Sequence, residues 1–406
     1  MRPTELDDLR ESPEDLGLVP GRLQRVGSYL DGEIADGRLP GAVWLIARRG
    51  RVADIGALGR LDPASGAPMR LDAIFRIYSL TKSMMAAVAL HLVESGSLAL
   101  RDPVSHHLSA FAVFDESEAV PSPGARHPTW RPEAAGKQMT VRDLLRHTSG
   151  LGGSLYGDPV LARAYERAGI VEFDHDENAA MTTLDELVER LSSIPLRARP
   201  GTVWEYGRSG DVLGAVLQAV AGRPLDELAQ ETLFNAAGMT STGFWVAPEE
   251  HHRVASPAGP YQPAAFTERP AFLSAGSGLY STLGDLFRFA SLLLDGGRSL
   301  EGGDVLSRAA VASMTADHLG PLRGTGLDFI PGDGHTFGLG LAVRVDGESA
   351  HTFGQRGDVF WIGRATTTFF VSPAEEIVAV LLAQAYGPPS RYYPAIFRNL
   401  VLQALA

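Results

Sequence analysis

The chain has 406 residues, 45% hydrophobic and 21% charged, with a formal net charge of -12 and no cysteine. This is the composition of a globular chain with a substantial core, and it excludes disorder and fibrous structure. The negative balance argues against phosphate backbones and anionic lipid as partners, so neither nucleic acid nor a membrane is expected, and the lack of cysteine removes disulfides, thiolate metal sites and a cysteine nucleophile.

Met1 to Ser12 is charged and has no apolar signal core, and no apolar stretch reaches the ~18 residues that a membrane span needs, so a cytoplasmic protein is expected. Residues 20 to 37 have Leu23, Val26, Leu30 and Ile34 at helical spacing and Gly37 as a stop. Two apolar runs, Ala42 to Ala47 and Val52 to Leu58, flank Arg48-Arg49-Gly50-Arg51 and predict a hairpin. Ser79 to Glu94 predicts a helix with a stripe of Met85, Val88, Ala89, Leu92 and Val93, and Gly96 suits its left-handed end.

From Ser97 to about Ala275 helical patterns dominate. Thr140 with Asp143 forms a capping box ahead of Leu144-Leu145, and Gly150 closes that helix. Further helices are expected over Asp211 to Val220 and Leu225 to Phe234, with Gly222 between them; Asp115 to Gln138 reads as a loop. Strand patterns return at Phe337 to Val345, Ala365 to Val371 and Ile377 to Gln384, and a last helix covers Tyr393 to Ala404. The implied class is α+β: an antiparallel sheet built from both chain ends and flanked by helices, with an inserted, mostly helical lobe. The expected division is a sheet domain over 1–95 and 276–406 and a helical domain over 96–275.

Among the 36 basic residues only Lys82 and Lys137 are Lys; the others are Arg. Arg keeps its proton in a protein whereas a buried Lys can give it up, so Lys82 invites a role as a neutral amine. Lys137, in a polar loop, reads as a chance survivor. Lys82 ends the run Ser79-Leu80-Thr81-Lys82 at a helix start, which puts amine and hydroxyl on one face, a turn apart. The helix N-terminus adds positive potential and unpaired N–H groups. Together these make Ser79 a candidate nucleophile, Lys82 its base and the Ser79 N–H an oxyanion donor. By itself the spacing is weak evidence and favours the plainer reading, a capping Ser with an exposed Lys one turn on.

Context decides between them. Leu144-Leu145-Arg146-His147-Thr148-Ser149-Gly150-Leu151, Pro200-Gly201-Thr202-Val203-Trp204-Glu205-Tyr206, Phe234 to Phe244, and Ser274 to Ser281 with Gly276 and Gly278 follow in order. With Ser79 and Lys82 they resemble the serine β-lactamase and penicillin-binding protein superfamily, most closely its family VIII carboxylesterases, from about Ala42 to Gln384. The resemblance implies that Tyr206 transfers protons with Lys82. It also implies that Trp361 and Gly363, in Trp361-Ile362-Gly363-Arg364, line the acyl site and that the Arg364 N–H is the second oxyanion donor. A rival alignment puts His351-Thr352-Phe353-Gly354 there, but leaves the following strand out of step.

Two departures from β-lactamases stand out: Arg208 occupies the position of their Asn, and their Lys-Thr-Gly is missing. Arg208 either binds a substrate carboxylate or pairs with Asp211. The expectation is therefore a serine carboxylesterase for short-chain or aryl esters, needing no cofactor or metal, with a small-molecule ester as partner. Alternatives on the same scaffold are a β-lactamase, a D-amino-acid peptidase or amidase, an acyltransferase, or a non-catalytic penicillin-binding-like receptor. No Ser has Gly at both -2 and +2, which excludes an α/β-hydrolase elbow; neither His106-His107 nor His251-His252 has zinc-helix spacing; and no nucleotide-binding glycine loop is present. His147 reads as an anchor for its turn. The sequence leaves the oligomeric state open.

Overall fold

A computed structural model describes residues 6–115, 119–120, 129–130, 138–153, 159–170, 183–258, 268–323, 330–387 and 392–406. Lys137, most of the loop expected over 115–138, and much of the segments expected to shape the pocket over 151–181 and 259–272 lie outside them.

The hairpin is present as β1 (Gly41–Arg48) and β2 (Arg51–Asp62), with the short β3 (Ala67–Pro68) after it. The other strands of the main sheet come from the C-terminal part: β6 (His335–Phe337), β7 (Ala342–Arg344), β8 (Val359–Gly363), β9 (Thr367–Ser372) and β10 (Ile377–Ala383). The order is β3-β2-β1-β10-β9-β8-β7-β6, antiparallel throughout. The two ends of the chain meet where β1 pairs with β10, Ala42 opposite Ala383 and Arg48 opposite Ile377. Both faces of β10 are covered, which is why Ile377-Val378-Ala379-Val380-Leu381-Leu382-Ala383 shows no polar alternation.

Helices pack on both sides of this sheet. α1 (Arg25–Ala35) and the C-terminal helix α7 (Tyr392–Leu402) pack on each other, and α7 also touches β9 and β10. The helix α6 (Leu283–Leu294) lies against β1, β9 and β10. Between the chain ends come α2 (Leu80–Glu94), α3 (Val141–Leu145), α4 (Leu184–Ser192) and α5 (Ser209–Ala221). The capping box is formed, with the Thr140 hydroxyl accepting from the Asp143 N–H and Asp143 accepting from the Thr140 N–H. Gly222 takes the left-handed C-cap of α5, with φ 64°. Among the described residues no helix is long and apolar enough to cross a membrane.

Several elements differ from expectation. The strand over Phe337 to Val345 is instead the hairpin β6–β7, with Phe337 opposite Ala342 and the turn held by the Gly338 N–H on the Leu341 carbonyl. The first helix breaks at Gln24, and Leu225 to Phe234 changes from an α to a π turn at Gln230. α2 carries no mere stripe: every residue from Leu80 to Leu90 is buried, so Thr81, Lys82 and Ser83 lie inside the protein. β8 was hidden by its Gly and by the mixed sequence after it. A two-stranded ladder of β4 (Ile74–Arg76) with β5 (Tyr280–Thr282) is too short to leave a periodic signal.

One buried base gives the fold a pH dependence. His335 lies against Arg398, and burial first, then the Arg398 charge, push its imidazole down to about 4. In the unfolded chain it titrates near ~6.5. Between those values the unfolded chain binds the extra proton, so this group's contribution is complete above about 6.5 and falls as the pH drops, by on the order of 3 kcal/mol over the window. Urea titrations of native protein and His335→Gln between pH 4 and 7 should show a shallower pH slope for the variant. Parallel slopes would contradict the assignment.

Candidate active site

Ser79 is the N-cap of α2 and is only partly exposed. The turn that presents it is held from two sides. The Ile77 N–H donates to the Leu279 carbonyl at 3.0 Å, and the Ile77 carbonyl accepts from the Thr367 hydroxyl of β9 at 3.1 Å. Within the first turn of the helix the Thr81 hydroxyl accepts from the Leu279 N–H at 3.2 Å. Tyr78, immediately before Ser79, has φ 47°, a left-handed conformation that costs a residue with a Cβ about 1–2 kcal/mol. It is kept there by its surroundings: its hydroxyl bonds the Tyr386 hydroxyl at 2.8 Å, and the Arg76 guanidinium lies 4.6 Å from its ring centre. Among the described residues the Ser79 N–H has no acceptor, so it is available to a substrate oxygen.

Lys82 is 8% exposed, and its ammonium nitrogen points back along the helix. Nζ lies 3.5 Å from Ser79 Oγ, the outer limit of a hydrogen bond, and 2.7 Å from the Gly276 carbonyl, to which it donates. It also stands 4.8 Å from the centre of the Tyr206 ring, within cation–π range. The lysine stem fits a narrow slot: a Cβ on Gly210 would sit 3.3 Å from Lys82 Cγ, and Gly340 turns with φ 82° against the Lys82 carbonyl. The amine and the hydroxyl that the sequence paired therefore lie at the limit of a hydrogen bond, with a carbonyl and a ring face beside the amine.

Tyr206 is buried in an aromatic cluster. Its ring stacks on Trp204 at 5.9 Å with 22° between planes, and meets His147 at 4.6 Å and Trp361 at 5.7 Å. Phe337 closes the cluster against Trp361 at 5.0 Å. The packing of Tyr206 on Trp204 and its approach to Lys82 thus coexist. His147 has φ 56° and its Nδ1 has no hydrogen-bond partner among the described residues. The turn is anchored by its backbone instead, the His147 carbonyl accepting from the Glu205 N–H at 2.8 Å. Burial, and secondarily Lys82, hold the imidazole well below its ordinary value, so the ring is neutral.

On the sheet side, Trp361 and Gly363 are in β8 and Arg364 begins the turn after it. Gly363 abuts the turn that presents Ser79, since a Cβ there would fall 2.3 Å from the Ile77 carbonyl oxygen and 2.1 Å from Thr367 Oγ1. The rival segment lies apart from this cluster: His351 and Phe353 are exposed on the loop before β8. Of the two roles open to Arg208 the structure contains the ion pair. The residue is 5% exposed and its guanidinium bonds Asp211 at 3.1 Å. The Gly276 carbonyl, the Thr367 hydroxyl and the contacts of Asp211 with Ser274 and Gly276 are parts of the site that sequence reasoning missed. A backbone acceptor has no residue signature, although Gly276 stood within the glycine-rich segment. Among the described residues no cluster of three or more His, Cys, Asp or Glu could hold a metal.

A hydroxyl at a helix start with a buried amine beside it and an aromatic phenol beneath is the setting in which the comparisons with known proteins fall. The β-lactamase family model matches residues 26–403. The chain belongs to the β-lactamase family. Within it, the chain is an esterase-like member of the serine β-lactamase and penicillin-binding protein superfamily, a serine hydrolase. It is 30% identical over 390 residues to "Esterase EstB" of Burkholderia gladioli, covering 88% of this chain and 89% of that protein. It is 32% identical to "Protein Rv1367c" of Mycobacterium tuberculosis over 376 residues, 87% and 88% of the two. Its fold matches the solved structure of "EstCE1, a hydrolase with promiscuous acyltransferase activity" with TM-score 0.75 and 27% identity, over 94% of this chain and 98% of that one.

The close approach of β8 to the nucleophile turn yields a test. Gly363→Ala forces strand and turn apart, a strain of about 1–3 kcal/mol, and should lower hydrolysis of an activated ester more than tenfold. Gly347→Ala, where an added Cβ meets nothing within 4 Å, should leave turnover unchanged. Full activity in Gly363→Ala would refute the positioning role of this contact.

Proposed function

We propose that the chain is a carboxylesterase acting on short-chain or aryl esters, with Ser79 as nucleophile and Lys82 and Tyr206 carrying its proton. The observation that carries this reading is the buried Lys82 Nζ, 3.5 Å from Ser79 Oγ and over the Tyr206 ring. Ser79 Oγ forms a bond to the ester carbonyl carbon while its proton passes to the Lys82–Tyr206 pair. Negative charge on the carbonyl oxygen is met by the N–H groups of Ser79 and Arg364. The C–O bond to the alcohol then breaks, and the alcohol oxygen leaves with the stored proton. Water repeats the sequence on the acyl-enzyme: it adds to the carbonyl carbon, gives a proton to the pair, and Ser79 regains it as the acid departs.

Trp361 and Gly363 form the acyl-side wall in this scheme, and no cofactor takes part. Support for esters over β-lactams comes from Arg208, which stands where β-lactamases carry Asn and is committed to Asp211. The Trp361-Ile362-Gly363 segment in place of Lys-Thr-Gly points the same way. The names of the Burkholderia relative, an esterase, and of EstCE1, a hydrolase with acyltransferase activity, agree with ester chemistry.

Intact mass spectrometry after brief exposure to a panel of aryl esters should show an acyl adduct on the native protein and none on Ser79→Ala. An adduct that survives in Ser79→Ala would rule out the assigned nucleophile. Steady-state assays should show a short-chain aryl ester preferred over a cephalosporin by at least about a hundredfold in kcat/KM, or roughly 2.7 kcal/mol in transition-state binding. A preference for the cephalosporin would reverse the substrate class.

A further inference from the structure

Behind Lys82 a continuous set of hydrogen bonds runs to a buried carboxylate. The ammonium nitrogen donates to the Gly276 carbonyl at 2.7 Å. The same peptide unit carries the Ser277 N–H, which donates to Ser274 Oγ at 3.0 Å. Ser274 Oγ in turn donates to Asp211 Oδ1 at 2.7 Å. Every link has its donor on the Lys82 side and its acceptor on the Asp211 side. Ser274 is 1% exposed and Asp211 3% exposed, so water does not screen the series. The carboxylate is also fixed: Oδ1 accepts the Gly276 N–H at 2.9 Å, and Oδ2 accepts from Arg208 at 3.1 Å. A Cβ on Gly276 would stand 3.0 Å from Asp211 Oδ1, so the carboxylate packs tightly against this segment.

We propose that Ser274 and Asp211 are positioning residues for Lys82, which polarise the Gly276–Ser277 peptide and hold its carbonyl on the amine. The inference rests on the reading of Lys82 as the base for Ser79. Chains of hydrogen bonds strengthen one another, so the negative end at Asp211 makes the Gly276 carbonyl a better acceptor for a protonated amine. When Ser79 gives up its proton, the ammonium formed at Lys82 is received by that carbonyl. The other titratable or charged groups around the amine are Ser79 on its own helix, Tyr206 below it, the neutral His147 beyond, and Arg208, which Asp211 balances. Arg208 then has a purpose in place of the missing Asn: it keeps the carboxylate oriented so that Oδ1 faces Ser274 and Gly276.

The test is the pH profile of kcat/KM for an aryl ester in Ser274→Ala, with Asp211→Asn as the second variant should the first fail to fold. Breaking the relay makes the protonated amine less favourable. The ascending limb should therefore move to lower pH by about half a unit, with a several-fold lower plateau. Ser274→Thr, which retains a hydroxyl, should return the limb toward its native position. A folded Ser274→Ala protein with a lowered plateau but an unmoved limb would overturn the proposal, because a purely structural defect changes the plateau alone. The Ser79 acyl adduct, measured on the native protein in the same series, separates the two levels. An unmoved limb with the adduct present removes the relay only, whereas an absent adduct removes the assignment of Ser79 and Lys82 and the relay with it.

Discussion

Putting the Lys82 amine out of water beside Ser79 is the constraint on which the rest of the structure depends. A buried amine without partners costs several kcal/mol, so it is stable only where hydrogen bonds and a compensating field receive it. Here the partners come from three distant parts of the chain: the Gly276 carbonyl, the Tyr206 ring and the Ser79 hydroxyl one turn back on α2. Small residues line the slot: a methyl group on Gly340 would collide with Ala86, and on Gly210 or Gly276 it would press on Lys82 or on Asp211 behind it. Helical lobe and sheet are thus obliged to close around one side chain.

The same economy governs the nucleophile turn. Tyr78 adopts a strained left-handed backbone and is held by Tyr386, near the end of the last strand, while Ile77 is clamped between Leu279 and Thr367. Sheet strands β8 and β9 therefore do more than complete the core. They press on Ile77, two residues ahead of Ser79, and so help to fix the turn that presents its oxygen. An N-terminal segment whose geometry is imposed by C-terminal strands explains why the sheet is assembled from both ends of the chain. The β1–β10 pairing that joins those ends is the part of the fold that brings them together.

Legibility in the sequence followed the range of the forces involved. Local devices were readable: the capping box at Thr140, the left-handed Gly222, the Arg48–Arg51 turn of the β1–β2 hairpin, and the Ser79–Lys82 spacing all depend on neighbours within four residues. The surplus of Arg made Lys82 conspicuous, and the quoted segments around Tyr206 and Gly276 put them in the right order. What escaped were features fixed by contacts across the fold. The β6–β7 turn, the short β4–β5 ladder and strand β8 have little periodicity of their own. The sequence offered Asp211 as a partner for Arg208, and that pair is present; that the carboxylate is buried and also faces Ser274 and Gly276 is set by the packing of α5 on the 274–277 turn. His147 was expected to anchor its turn and does so through its backbone carbonyl, while its ring stands as a neutral wall for Tyr206.

The central claim is that the neutral form of one amine turns Ser79 into a nucleophile. The rate of covalent labelling of Ser79 by a fluorophosphonate, followed against pH in native protein and in Lys82→Arg, addresses it directly because labelling needs attack but no substrate-specific pocket. Arg retains the charge and does not deprotonate, so the account predicts labelling slowed at least about a hundredfold, with the native pH dependence lost. Labelling of Lys82→Arg at the native rate would contradict it.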